Sequence, residues 1–108
     1  MKLVTAIIQP QQLPAVKKAL FESQIRHLTC TNVIGTASEG ADVLMFRGVP
    51  HKVTLSQKVR VELVLRDEMK DKAVEAIVRG AKASGGHGAV FVSELNEFID
   101  LHGDEHDE

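Results

Sequence analysis

Residues 58–65 read KVRVELVL, an alternation of polar or charged with apolar side chains. Period-two alternation is the pattern of a strand with one face in a core and the other turned away from it. It places Val59, Val61, Leu63 and Leu65 on one face. A second segment, residues 2–8, is short, β-branched and apolar through Leu3, Val4, Ala6, Ile7 and Ile8, and reads as a well-buried strand. With 108 residues, the chain fits one domain, 1–108, and such a domain buries about 65% of the surface its unfolded chain exposes. That is enough for a real core, with little room for an enclosed active site.

Helical segments follow each of these strands. Pro10 and Pro14 mark a turn and a helix start, where a missing N–H costs nothing. The period then predicts a helix over 14–23 with Leu13, Val16, Leu20 and Phe21 inward and Lys17, Lys18 and Glu22 in water. Residues 67–83 predict a second helix, with Asp67 as its N-cap and Met69, Ala73, Ala76, Ile77 and Gly80 or Ala81 along one face. A second strand is expected over 28–34, ended by Gly35. A fourth is expected over 89–92, with a weaker continuation over 93–101. Residues 84–88, SGGHG, read as a tight glycine-rich loop, and 103–108 as an acidic, frayed tail.

The order strand–helix–strand, long loop, strand–helix–strand predicts an α+β, ferredoxin-like βαββαβ sandwich. Both helices lie on one face of an antiparallel sheet. The other face has no helix to cover it, which in a chain this small is a reason to expect oligomers. Loop 36–54 has mixed polarity and three breaks (Gly40, Gly48, Pro50). Its length is unusual in a compact domain and points to function.

Composition narrows the classes of function. The net charge of −2 gives no bulk attraction to nucleic acid or acidic membranes, and no run approaches the length of a membrane span. There is no Trp or Tyr and only four Phe, so base stacking on nucleic acid is poorly supplied. The opening residues lack a small-residue cleavage site and read as a strand, not a signal peptide. The one cysteine, Cys30, has no internal partner, which suits a reducing, cytoplasmic setting; it reads as a small buried hydrophobe in mid-strand. No paired carboxylates, triad or phosphate loop is visible, so an enzyme is the least supported reading and no catalytic residue is named.

Specific residues carry a resemblance. The opening MKLVTAIIQP with Leu13, Val16, Ala19 and Leu20, then Thr29, Thr31 and Gly35, follow the pattern of one family. So do Phe46-Arg47-Gly48, Lys58-Val59-Arg60-Val61-Glu62, Ala76-Ile77-Val78-Arg79 and Phe91-Val92. Taken in order, they resemble the PII family of nitrogen regulatory signal-transduction proteins, from Met1 to about Leu101. The resemblance implies a cytoplasmic homotrimer with nucleotide clefts between subunits. It also implies a protruding loop, here 36–54, that engages a target such as a membrane transporter or a metabolic enzyme.

Residue by residue, the resemblance puts Thr29, Glu62 and Val64 where the family cradles adenine, and Gly35 at the head of the loop. Gly86 and Gly88 would bring backbone N–H groups near a phosphate. His87 either donates to that phosphate or points to water. The family's phosphate cations are largely replaced: Gln9, Ala89, Asp100 and His102 stand at those positions, and the glycine loop is one residue shorter. A triphosphate needs cations and donors to offset its lost hydration. AMP or ADP is therefore expected in preference to ATP. Glu39 stands where the family uses a glutamine beside 2-oxoglutarate, which argues against that ligand, although Lys58 is kept. The tyrosine that some members modify is His51, so that modification is not expected.

Arg47, His51 and Lys52 make the loop modestly basic and are the expected partner-docking residues. The tail offers His102, Asp104, Glu105, His106, Asp107 and Glu108, which can bind a divalent metal but more often form a solvated acidic end, so no metal site is assigned. Two readings remain for the whole chain. One is a nucleotide-sensing regulator. The other is an interaction module of the same fold that no longer binds nucleotides and answers to another small ligand or to metal.

Overall fold

The computed structural model describes residues 1–36, 45–46, 49–50 and 55–101. Strand β1 (Lys2–Ile8) leads through a short 3-10 turn (Pro10–Gln12) into helix α1 (Leu13–Glu22). Strand β2 (Thr29–Thr36) follows, then two short paired strands, β3 (Met45–Phe46) and β4 (Val49–Pro50). Strand β5 (Leu55–Leu65) leads through a 3-10 turn (Asp67–Met69) into helix α2 (Lys70–Ala83), and β6 (Gly88–Glu94) closes the sheet. The main sheet has the order β2-β5-β1-β6, antiparallel throughout, so the ferredoxin-like α+β architecture is the observed one.

Register decides which residues share a face. Val4, Ala6 and Ile8 oppose Leu63, Val61 and Val59 across β1 and β5, and all six are buried. Directly opposed residues of an antiparallel pair project to the same side. Against this side pack Val16, Ala19 and Leu20 of α1 and Ala73, Ala76 and Ile77 of α2. The opposite side carries Leu3, Thr5 and Ile7 of β1, with Arg60, Glu62 and Val64 of β5. Thr29, Thr31 and Val33 of β2 and Ala89, Phe91 and Ser93 of β6 complete it. Among the described residues no helix covers this side, and Phe91 is 52% exposed.

The two helices approach closely because position 80 is glycine. A Cβ there would lie 2.7 Å from the Ala15 carbonyl oxygen and 2.7 Å from the Val16 Cα. At the far end of α1 the chain reverses through Gln24, whose φ of 70° is left-handed. The Ile25 N–H donates to the Leu20 carbonyl and the Gln24 N–H to the Phe21 carbonyl, so the last carbonyls of α1 are satisfied in a Schellman-type ending.

Gln12 is wholly buried and polar. Its Oε1 accepts from the Gln9 backbone N–H at 2.7 Å and its Nε2 donates to the Ala81 carbonyl at 3.2 Å, tying the start of α1 to the end of α2.

Several sequence expectations are corrected. Gly35 does not end β2: it pairs with Ser56, and Thr36 with Leu55, because the ladder with β5 continues past it. The strand thus takes in Thr36, the first residue of the expected loop, and β5 starts at Leu55 instead of residue 58. Strand β6 stops at Glu94, opposite Lys2 at the start of its partner β1, and only the Leu95 N–H reaches further, donating to the Met1 carbonyl. Phe21 is 44% exposed, because Ala19 fills the inward position beside Leu20.

Cys30 is exposed as well. It opposes Val61 on the helix-bearing side, but on the edge strand β2, over which neither helix packs closely. Asp67 makes no side-chain cap. Its carboxylate instead lies 3.0 Å from the N-terminal amine, whose hydrogen bond holds the Asp67 carboxyl below its ordinary pKa. No helix among the described residues is long and apolar enough to cross a membrane.

Candidate functional site

An open hollow of about 1330 Å³ lies at the end of the sheet where β5 finishes and β2 begins. Its wall on the bare side is built from Leu3, Thr29, Glu62 and Val64. Thr29 pairs directly with Glu62, and Val64 follows two residues along on the same face. The β-ladder therefore sets Thr29 beside Glu62 and Val64, more than thirty positions away in sequence. A flat apolar surface from Val64 and Leu3 beside the Thr29 hydroxyl and the Glu62 carboxylate suits a planar heteroaromatic ring. A carboxylate can accept from an amine, and a hydroxyl can donate or accept.

The remaining expected residues stand elsewhere. Gly35 lies six positions along β2 from Thr29, opposite Ser56. Gly86, His87 and Gly88 lie between α2 and β6, where Gly88 opposes Ile8. At strand rise, six residues span about 20 Å. Within one protomer the expected residues thus form two groups at opposite ends of the sheet: Thr29, Glu62 and Val64 at one, and Gly35, Gly86, His87 and Gly88 at the other.

The glycine loop has a structural task of its own. Gly86 has φ +80° and donates its N–H to the Ala81 carbonyl, closing the end of α2. Gly88 has φ +149°, and a Cβ there would meet the Ile7 carbonyl oxygen at 2.5 Å, so the approach of β6 to β1 requires glycine. His87 is exposed between them.

The hollow also gathers residues that the sequence reading missed: Arg26 and His27 from the α1–β2 connection, Arg66 from the residue after β5 and Phe98 from the segment after β6. Asp100, expected at one of the family's phosphate-cation positions, lines it as well. Arg26 and Arg66 are forty positions apart, and only the antiparallel β2–β5 register makes them neighbours of one hollow. Their signal in the sequence is slight: each flanks the end of a strand.

Arg60 lies on the bare face opposite Ile7 and Thr31, with its Nε buried and no hydrogen-bond partner among the described residues. Arg47, His51 and Lys52, with Glu39 and His102, lie outside the described residues, as does the acidic tail 103–108.

The fold and the split site define a small ferredoxin-like α+β domain with one open sheet face and a ligand-sized hollow at the sheet end. The model of the family described as "Nitrogen regulatory protein P-II" matches residues 1–105. Among curated relatives, the nitrogen regulatory protein P-II of Rhodobacter capsulatus is 41% identical over 100 residues, covering 92% of this chain and 89% of that protein. The nitrogen regulatory protein GlnK1 of Methanosarcina mazei is 33% identical over 102 residues, covering 92% and 87%. The P-II protein of Bradyrhizobium diazoefficiens is 35% identical over 100 residues, covering 92% and 89%. The chain belongs to the nitrogen regulatory protein P-II family. Proteins of this family are regulatory rather than enzymatic, bind adenine nucleotides, form oligomers and act on target proteins.

Proposed function

We propose that this chain is a homotrimeric regulator that senses an adenine nucleotide, AMP or ADP in preference to ATP, in clefts where its copies meet. It passes the bound state to a target protein, a membrane transporter or a metabolic enzyme, through the segment between β2 and β5. The observation that carries this reading is the Thr29–Glu62–Val64 wall, which lines a ligand-sized hollow and has the chemistry to read adenine.

The split of the site supports the trimer. Two dissimilar half-sites at opposite ends of one sheet fit a head-to-tail contact, in which the wall of one copy meets the glycine loop of the next. Such a contact closes on itself as a ring, and the uncovered sheet faces then meet at its centre, out of water. Ligand in the cleft touches both the β2–β5 wall and the neighbouring Gly35 at the head of the loop. Its binding energy therefore biases the order of loop 36–54, with Arg47, His51 and Lys52 as the docking residues.

The preference for fewer phosphates follows from the glycine loop. Gly86 already donates its N–H within the chain, Ala89 supplies no cation, and His87 is the one titratable side chain between Ser84 and Val90. A triphosphate would lose more hydration there than these groups return.

Calorimetric titration with AMP, ADP and ATP, with and without Mg²⁺, tests the reading. Binding of AMP or ADP more tightly than ATP, at one site per protomer, is the expected result. Heat from none of them refutes it. That outcome favours the second reading, an interaction module of the same fold, which the commitment of the Gly86 amide to α2 also favours.

A further inference from the structure

Among the described residues, one buried side-chain nitrogen has no hydrogen-bond partner, the Nε of Arg60. Arg60 stands on the bare sheet face between Ile7 of β1 and Thr31 of β2. Its side chain is half-buried, so the Nε is sunk in the face while the terminal amines stay within reach of water. A guanidinium held this way keeps its charge and has already lost part of its hydration. No described carboxylate pairs with it, not even Glu62, two residues along the same face.

Register gives the charges of this face. Lys58, Arg60 and Glu62 lie along β5 opposite Val33, Thr31 and Thr29, and the residues that β1, β2 and β6 add are uncharged. Glu62 is therefore the single carboxylate among the strand residues of the face. A second copy laid against it brings the same set of side chains. Covering the face takes the remaining donors of Arg60 out of water, and a desolvated guanidinium without an acceptor is costly. The covering surface holds one carboxylate to meet it.

We infer that, where copies meet across this face, Arg60 of one copy pairs with Glu62 of the partner subunit, so that each ligand wall is completed by a cation from its neighbour. This rests on the proposed assembly. In a closed ring of three, symmetry repeats the pair at every contact. The guanidinium fork matches a carboxylate, and a carboxylate has about four lone-pair sites, so Glu62 keeps acceptors for a ligand amine. Arg60 is then a positioning residue: it fixes the Glu62 carboxylate within the wall and couples ligand binding to assembly.

Light scattering against protomer concentration on the full chain tests the pair, with circular dichroism to verify each fold. Arg60→Glu and Glu62→Arg are each expected to raise the concentration of half-dissociation by about a hundredfold or more. The double reversal Arg60→Glu/Glu62→Arg is expected to return to within about tenfold of the wild type. Arg60→Gln keeps most of the stem and loses the charge, and is expected to cost about tenfold, against about threefold or less for Arg60→Lys. Arg79→Glu changes the net charge equally on the exposed side of α2 and is expected to change nothing. Calorimetry with AMP separates the two tasks of Glu62. The double reversal is expected to assemble without binding AMP, because a guanidinium at position 62 donates and cannot accept.

Wild-type assembly in either single reversal overturns the inference, as does a folded double reversal that stays as protomers. Equal effects of Arg60→Gln and Arg60→Lys overturn it too. A wild type that is itself monomeric overturns the assembly and the inference together. AMP binding retained by an assembled double reversal supports the ion pair and overturns the role of Glu62 as acceptor for the base.

Discussion

Gly80 sets the distance between the helices, and replacing it with alanine pits two effects of known sign against each other. Alanine is the better helix former by about 1 kcal/mol, so on local grounds Gly80→Ala should stabilise α2. The added methyl would sit 2.7 Å from the Ala15 carbonyl oxygen and the Val16 Cα and 2.9 Å from the Ala15 carbonyl carbon. Ordinary contact begins at 3.4 Å, so α1 must retreat by about 3.4 − 2.7 = 0.7 Å. All three contacts are backbone, so no side-chain rotation relieves them.

A retreat of 0.5–1 Å forfeits about a quarter to a half of each dispersion contact it opens. Val16, Ala19 and Leu20 face Ala73, Ala76 and Ile77 across this interface, all buried. Overpacking of this kind costs about 1–3 kcal/mol. With the propensity gain subtracted, the clash prevails, and the variant is expected to lose roughly 1–2 kcal/mol. That corresponds to a fall in Tm of about 5–10 °C for a domain of this size. Thermal and urea unfolding followed by circular dichroism at fixed protomer concentration measure it. The pair Arg79→Ala and Arg79→Gly, one residue away on the exposed face, supplies the propensity difference without the clash. A Gly80→Ala protein that melts at or above the wild-type temperature would refute the close-approach reasoning.

Gln12→Ala removes a buried amide together with both of its hydrogen bonds and leaves the Gln9 N–H without its acceptor. The loss is expected to be about 2–3 kcal/mol, read as a lower urea midpoint with an unchanged m value. Gln24→Gly relieves a left-handed non-glycine residue at the end of α1 and is expected to raise stability by about 0.5–1 kcal/mol; a lower Tm would mean that the side chain, which lines the hollow, makes a contact worth more than the strain. Phe91→Asp places a charge on the uncovered sheet face. If copies meet there, light scattering should show the assembly falling to monomers, whereas an unchanged mass would remove that face from the interface.

The two helices and four main strands were legible from the chain's own periodicities. Alternation in KVRVELVL, the β-branched run after Met1 and the three- and four-residue spacing in both helices are local signals, produced by the same geometry that forms the elements. The uncovered face followed from having two helices for one sheet. Errors fell where a distant partner decided the outcome. Nothing local says that β2 pairs with β5 past Gly35, that β6 must stop where β1 begins, or that Cys30 opposes a core valine yet sits on an edge without a helix above it. Gln12 gave no sign of burial, because polar side chains enter a core only where tertiary structure supplies their partners, here the backbone of Gln9 and Ala81.

The candidate site divides in the same way. Thr29, Glu62 and Val64 were named from a resemblance of pattern, and the antiparallel ladder makes them one wall. Residue types and spacing also marked Gly86 and Gly88 as unusual. It took the backbone angles and the 2.5 Å approach to Ile7 to show that part of their task is to join α2 to β6. Arg26 and Arg66 belong wholly to the tertiary structure. Forty residues separate them, and only the pairing of β2 with β5 sets them in one hollow. Sequence by itself determined which elements form and which faces are apolar, because those depend on neighbours within a few residues. Strand register decided which side chains share a site, because register is set by contacts between segments that the sequence order keeps apart.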